Sequence, residues 1–226
     1  MFYFSNSGKR GFTNITAVDY DAYWKERGFK INEKLKEREV IILNEIPAHA
    51  KVLDIGCGNS LLPVRLKEKG CDVTVADIST VVLNEYKKIG FKTLHIHLED
   101  TAHLQFASPF DYIIMSEVLE HTRNPEEILT ALRPYTRTFV LTIPNSAFYR
   151  YRFHLMFTGT FIRQWVHHPG EHLRYWSHTD FLAWLNAFNF NVKKAVASNG
   201  FDSMGIPFYT YFPNLFGHQI CYFVET

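Results

Sequence analysis

Val52-Leu53-Asp54-Ile55-Gly56-Cys57-Gly58-Asn59-Ser60 is the stretch that decides the fold. Val52, Leu53 and Ile55 are β-favouring apolar residues in a short run, which fits a buried strand of the parallel kind. Gly56 and Gly58 follow at once. Glycine there permits positive φ and lets a ligand lie against bare backbone. Asn59 and Ser60 are both good N-caps, and Leu61 to Gly70 then reads as a helix. The stretch is therefore strand, glycine turn and helix start, with an acid, Asp54, near the end of the strand.

A dinucleotide fingerprint needs a third glycine three residues after the second, for close helix–strand packing. Leu61 occupies that position. Asp54 also puts negative charge where a pyrophosphate would lie. A carboxylate suits a ligand with an ammonium group, and S-adenosylmethionine (SAM) has one, together with a ribose and no phosphate. The next strand, Asp72-Val73-Thr74-Val75-Ala76-Asp77, ends in Asp77, 19 residues after Gly58. An acid at the tip of the second strand can accept both ribose hydroxyls.

Asp54-Ile55-Gly56-Cys57-Gly58, Asp77 and the later Phe110-Asp111-Tyr112-Ile113-Ile114-Met115-Ser116-Glu117-Val118-Leu119-Glu120-His121 together resemble a class I SAM-dependent methyltransferase. The resemblance covers residues 50 to 145. It implies an α/β, Rossmann-like fold: a mostly parallel seven-stranded sheet, helices on both faces and an inserted acceptor-site cap. It implies one methyltransferase domain over residues 1–226, with an N-terminal arm and helices in 1–45 and cap segments at 146–176 and 201–217. It places SAM against Asp54, Gly56, Cys57, Gly58, Asp77, Ile78, Glu99, Asp100, Ser116 and Glu117, with adenine near Glu99 and Asp100. Cys57, between the two glycines, reads as a small buried filler rather than a nucleophile.

The bulk numbers set bounds. The chain has 226 residues, 46% hydrophobic, enough for one large α/β domain. A net charge of +1 gives no general argument for nucleic acid or a membrane surface. No Asn/Asp-Pro-Pro-Tyr/Phe motif for base amines is present. The three cysteines, Cys57, Cys71 and Cys221, have no paired metal spacing and fit reduced thiols in a cytoplasmic protein. No apolar run approaches the ~18 residues of a membrane helix, and Met1-Phe2-Tyr3-Phe4 does not read as a signal peptide. The expected partner is a small-molecule acceptor, with no nucleic acid and no membrane span; a homodimer is left open.

Along the chain, residues 1 to 18 read as a loose arm. Asp19 to Leu43 has helical spacing broken near Gly28, and Tyr20, Tyr23, Trp24 or Arg27 could touch cofactor or substrate or simply pack the helix on the sheet. Ser79 caps a helix that Gly90 ends. Lys92 to Leu98, Phe110 to Met115, Arg137 to Ile143, Asn191 to Ser198 and His218 to Glu225 read as strands, the last antiparallel by the resemblance. Asn124-Pro125-Glu126-Glu127 reads as a helix start with a capping box, and Ser177-His178-Thr179-Asp180 as another.

Between Pro144 and Ser177 lie about thirty residues that the sheet does not need, and a loop of that length in a compact domain is usually functional. It carries Tyr149, Arg150, Tyr151, Arg152, Arg163, Trp165, His167, His168, His172 and Arg174. From Ser146 to Tyr175 the only acid is Glu171. Pro144, Asn145, Arg150, Arg152, Leu155, Gly159, His172 and Phe181 also resemble the methionine-biosynthesis protein W family, which is linked to homoserine acylation, although Phe161 to Gly170 departs from its pattern. Residues 171–177 look more like sugar and small-molecule methyltransferases.

Methyl transfer from a sulfonium is an in-line displacement, and a hydroxyl acceptor benefits from a base near neutral pKa. If a helix starts just after the fourth strand, Glu117 and His121 share one face. His121 and His172 are then the candidate bases. An ionised phosphate or carboxylate acceptor would need none. Tyr23, Asn145, Arg150, Arg152 and Arg174 are the candidate acceptor-binding residues, because a guanidinium fork suits an oxyanion. No metal is expected, at His95, His97 and His103 or at His167, His168 and His172. The leading reading is O-methylation of a small anionic acceptor, such as a phosphorylated sugar or a surface-polysaccharide precursor. The alternative is a SAM-fold partner that tunes a homoserine acyltransferase.

Overall fold

The computed structural model describes residues 18–162 and 171–226. The strands are β1 Lys51–Ile55, β2 Asp72–Asp77, β3 Lys92–His95, β4 Phe110–Ser116, β5 Thr136–Pro144, β6 Asn191–Ser198 and β7 Gln219–Glu225. They form one seven-stranded sheet in the order β3-β2-β1-β4-β5-β7-β6. The pairs from β3 to β5 are parallel, while β7 enters antiparallel between β5 and β6. That is the topology the resemblance implied.

The helices are α1 Tyr20–Arg27, α2 Glu37–Glu45, α3 Leu62–Glu68, α4 Thr80–Lys88, α5 Pro125–Leu132, α6 Tyr149–Thr158, α7 His178–Ala187, α8 Phe208–Tyr211 and α9 Pro213–Phe216. Successive strand residues point to opposite faces, so each strand feeds two cores. Leu53, Ile113, Met115, Phe139 and Leu141 pack with Ile128 and Leu129 of α5 and Phe181 and Leu185 of α7. Val52, Val73, Val75, Ile114 and Val140 pack with Ile42 of α2, Leu62 and Leu66 of α3 and Val82 and Tyr86 of α4. Both faces of the sheet are covered, and the carboxyl ends of β1, β2 and β4 are left to build a site.

The local signals mostly act as read. Gly28 ends α1 in the left-handed region. Ser79 Oγ accepts from Val82 N–H at the start of α4. The Ser177–Asp180 capping box forms at the start of α7. Four readings need correction. The third strand stops at His95 rather than Leu98, because β2 ends at Asp77 and Ile96 N–H makes the last bond to Asp77 O (3.1 Å). The helix after Gly58 starts at Leu62, and Ser60 Oγ accepts from Leu62 N–H (3.0 Å) without being its N-cap residue. Asn124 precedes α5, but its side chain makes no cap bond and no capping box forms. No α-helix starts directly after β4; the next, α5, begins only at Pro125. Glu117 extends the ladder by donating its N–H to Thr142 O (3.1 Å), then turns at φ 59°, and Leu119–His121 is a single 3₁₀ turn. Glu117 and His121 therefore do not share a helical face.

The two cap stretches come together. Tyr149 of α6 lies 5.4 Å from Phe201 and 5.7 Å from Phe216, ring to ring.

Candidate active site

A cleft of about 510 Å³ opens at the carboxyl ends of β1 and β4. The Asp54–Ser60 turn makes its floor. Gly56 and Gly58 have φ of 70° and 47°, so the turn depends on glycine. Asp54 is buried, and its carboxyl is pushed well up by burial, then by the charges of Glu39 and Asp77. Cys57 lines the cleft with its thiol buried and its pKa pushed well up by burial, then by the charges of Asp77 and Asp54. Asp77 accepts from Gly58 N–H (3.0 Å) and Ser79 N–H (2.9 Å) and so ties the glycine turn to the tip of β2. Burial raises its pKa, and these backbone donors oppose the rise.

The same cleft carries Lys36, Arg38 and Glu39, to which the sequence reading gave no role. Buried Glu39 accepts from Lys36 N–H (2.8 Å) and Ser60 Oγ (2.9 Å). Arg38 donates to Ser116 Oγ (3.2 Å) and Gln219 Oε1 (3.1 Å). Burial pulls the Lys36 amine down, with Arg38 acting in the same direction. Acids and bases lining one glycine-floored cleft are what a zwitterionic amino acid group needs. An ammonium near Asp54 would relieve its uncompensated charge, so the residues present fit SAM.

Helix α1 covers this cleft. Asp21 accepts from the hydroxyls of Ser79 and Thr80 (2.7 Å each), which hold its carboxyl down at about 2. Trp24 lies against the glycine turn, so that a Cβ on Gly58 would come 3.3 Å from its ring. Tyr23 also lines the cleft, with Arg27 4.1 Å above its ring. Ile78, Glu99 and Asp100 are exposed beyond the ends of β2 and β3 and do not line it. Glu99 accepts from Arg123 N–H (2.6 Å), and Asp100 pairs with His103 (2.8 Å).

On the β4 side, Ser116 and Glu117 line the cleft. Glu117 accepts from Thr142 Oγ1 (3.2 Å) and Gln219 Nε2 (2.9 Å). His121 and His172 meet edge to face at 4.6 Å. His121 Nδ1 bonds the Glu171 carbonyl and lies 3.5 Å from Tyr20 Oη. Burial lowers His121, and burial together with the His121 charge lowers His172 to about 4. Both imidazoles are therefore neutral at pH 7. A second pair, Tyr151 Oη and His218 Nε2 at 2.7 Å, feels the charges of both Glu117 and Arg150. The sequence reading assigned it no role.

Three of the residues expected at the acceptor are held by the protein itself. Asn145 is fully buried, and its amide donates to the carbonyls of Gly217 (2.7 Å), Asn214 (3.1 Å) and Pro213 (3.3 Å) while accepting from Ala147 and His178 N–H (3.0 and 3.3 Å). It is a clamp on the cap. Arg152 donates to the carbonyls of Ala147 (2.5 Å) and Asn214 (3.2 Å), and Arg174 to the carbonyl of Arg123. Arg150 stays exposed, beside Tyr149 Oη (3.0 Å). Arg163, Trp165, His167 and His168, like the arm at residues 1–17, lie outside the described residues.

Comparison with known proteins places this geometry. A Corynebacterium glutamicum TehB-like SAM-dependent methyltransferase superposes with a TM-score of 0.55 at 16% identity, over 91% of this chain and 92% of that one. A Synechocystis magnesium protoporphyrin IX methyltransferase, solved with bound SAM, does so with a TM-score of 0.52 at 14% identity, over 96% and 87%. The ubiquinone biosynthesis O-methyltransferase of Xylella fastidiosa strain 9a5c is 31% identical over 164 residues, 61% of this chain and 67% of that protein. The fold is that of a class I SAM-dependent methyltransferase. Residues 36–224 match the model of the methionine biosynthesis protein MetW, and the chain belongs to that family. Among the described residues, no helix is long and apolar enough to cross a membrane.

Proposed function

We propose that this protein methylates an oxygen of a small anionic acceptor, of the class of phosphorylated sugars or surface-polysaccharide precursors. Bound SAM supplies an electrophilic methyl group on a sulfonium. The observation that carries the reading is the cleft itself, where bare glycine backbone, buried Asp54 and the bases Lys36 and Arg38 converge. In this reading Asp54 and Glu39 face the amino acid ammonium, Lys36 and Arg38 its carboxylate, and Asp77 the ribose. Helix α1 excludes water over the reacting centre. A neutral imidazole, His121 or His172, takes the proton of an acceptor hydroxyl as the new bond forms. Among the described arginines of the cap, exposed Arg150, whose charge reaches His218 and Tyr151, is the guanidinium assigned to the acceptor's anion. Support for an oxygen acceptor comes from the O-methyltransferase relative.

The test is turnover of isotope-labelled SAM with phosphorylated sugars, sugar nucleotides and hydroxy acids, beside calorimetry of SAM on Asp77→Ala. A labelled product is expected with at least one acceptor. SAM affinity should fall at least tenfold, since one charge-assisted bond is worth about 1.5–3 kcal/mol. Unchanged affinity removes Asp77 from the site, and a product formed only from neutral acceptors removes the anionic acceptor.

A second reading has its own observation. Phe153, Met156 and Phe157 of α6 and the nearby Phe161 are exposed, Phe161 by 82%. Such a patch suits a contact surface, as for a protein that tunes a homoserine acyltransferase. Co-elution with that enzyme, without methyl transfer to any small molecule, is its expected outcome, and turnover by the pure protein excludes it.

A further inference from the structure

The Leu119–His121 turn and the chain at Glu171–Arg174 are sewn together by the Leu173 and Arg174 N–H groups, which both donate to the Glu120 carbonyl oxygen (2.7 and 3.1 Å). Inside this seam sits the Glu120 side chain, with 0% exposure and with neither carboxylate oxygen making a hydrogen bond. A buried carboxylate without partners is costly, and such a group calls for a physical explanation. Its Oε1 lies 4.0 Å from His121 Nε2. One ligand atom each from Glu120, His121 and His172 lies within 4.8 Å of the other two. The bond from His121 Nδ1 to the Glu171 carbonyl leaves the Nε2 lone pair for a ligand. That is how metal-binding histidines are usually oriented, with the second ring nitrogen donating to a carbonyl or carboxylate.

We propose that Glu120, His121 and His172 bind a divalent transition-metal ion. Two imidazoles and one carboxylate suit Zn²⁺ or a neighbouring first-row ion better than Mg²⁺ or Ca²⁺. Ligands about 2.0–2.2 Å from a tetrahedral ion stand roughly 3.4 Å apart, so the group closes on an ion by small side-chain rotations. The ion gives the orphaned Glu120 oxygens their partner. Three protein ligands leave a fourth position open. Resting on the methyl-transfer reading, that position takes the acceptor oxygen. With the ion bound both imidazoles are ligands, so the base role given to them above passes to solvent. A hydroxyl bound there is acidified by the ion and gives its proton to a water molecule, and an acceptor with a second oxygen beside it could chelate.

The experiment is a titration of the chelator-treated full chain with Co²⁺, followed by visible d–d absorption, and with Zn²⁺, followed by calorimetry, both without SAM or acceptor. One equivalent should bind. Glu120→Gln and His172→Ala should each weaken binding at least tenfold. His167→Asn with His168→Asn, outside the proposed ligands, should leave it unchanged. Zn²⁺ should raise the melting temperature of the parent and not of Glu120→Gln, a readout that a merely destabilised variant does not imitate. Absence of saturable binding, or equal binding in the Glu120 and His172 variants, overturns the site. SAM binding is measured on the same samples. Its retention without metal binding removes the ion alone, and metal binding without any methylated product removes the acceptor reading alone.

Discussion

Replacing Asn145 with alanine removes a clamp that ties the end of β5 to both cap stretches. The amide makes five hydrogen bonds, three to carbonyls of the 213–217 segment and two from the N–H groups of Ala147 and His178. The residue is fully buried, so no water replaces them at once. Each buried partner left unsatisfied costs roughly 1–3 kcal/mol. Counting only the bonds of 2.7, 3.0 and 3.1 Å at the low end gives a loss of about 3 kcal/mol. Urea denaturation should show a lower midpoint at unchanged slope. In a chain of this size, the melting temperature should drop by roughly 6–12 °C. Asn145→Asp should also destabilise, because it keeps the acceptor, removes the donors and buries a charge. A loss below about 1 kcal/mol, accompanied by a raised KM for the acceptor, would refute the clamp and restore Asn145 as a binding residue.

Gly56→Ala meets Val118 Cγ2 at 2.6 Å and must adopt φ 70°, so it should cost about 2–4 kcal/mol. Val118→Ala in the same chain should recover the steric share and leave the backbone share, read as the coupling in a double-mutant denaturation cycle. The Asp54 carboxyl is raised by burial and by the charges of Glu39 and Asp77. Its stabilising contribution is therefore complete below the unfolded value of about 3.9 and is lost as pH rises through the folded one. Asp54→Asn should then stabilise the ligand-free protein at pH 7–8 while weakening SAM, and a variant that is less stable there contradicts the charge argument. His172 runs the other way. Its folded pKa of about 4 is depressed, so its contribution is present above the unfolded value of about 6.5 and is lost as pH falls toward 4. His172→Gln should flatten the melting-temperature profile between those values, and an unaltered profile would place the imidazole in solvent.

Those residues differ in how far the chain alone revealed them. Asp54, Gly56, Cys57 and Gly58 are neighbours along one turn, so backbone chemistry within five residues is enough to read the floor of the cleft. Asp77 is one strand away, and parallel pairing of Ile55 with Ala76 brings it alongside. The strands were equally legible as apolar runs of strand length between glycine and capping signals, while their order, with the last strand antiparallel, came from the family resemblance. Lys36 and Arg38 were not legible. Lys36-Glu37-Arg38-Glu39 alternates in charge like any solvated helix start, and only the packing of α2 against the sheet buries Glu39 and turns Arg38 toward Ser116 and Gln219. Glu117 carries no glycine-like signal for its positive φ, which the ladder to β5 imposes.

The cap misled for a related reason. From Ser146 to Tyr175 arginine has almost no acid to pair with, which suggests an anionic ligand. But every backbone residue also offers a carbonyl oxygen, and carbonyls outside helices and strands need donors. Arg152 and Arg174 go to such carbonyls, at Ala147, Asn214 and Arg123. Glu120 shows the same limit from the other side: nothing in Leu119-Glu120-His121 indicates a carboxylate without a partner. By itself the sequence determined the strands, the glycine turn and the acids beside it, because those depend on residues a few positions or one strand apart. Only the tertiary structure decided which distant charges share the cleft and which polar atoms stay unpaired, because desolvation and hydrogen-bond satisfaction depend on what packs against a group from every side.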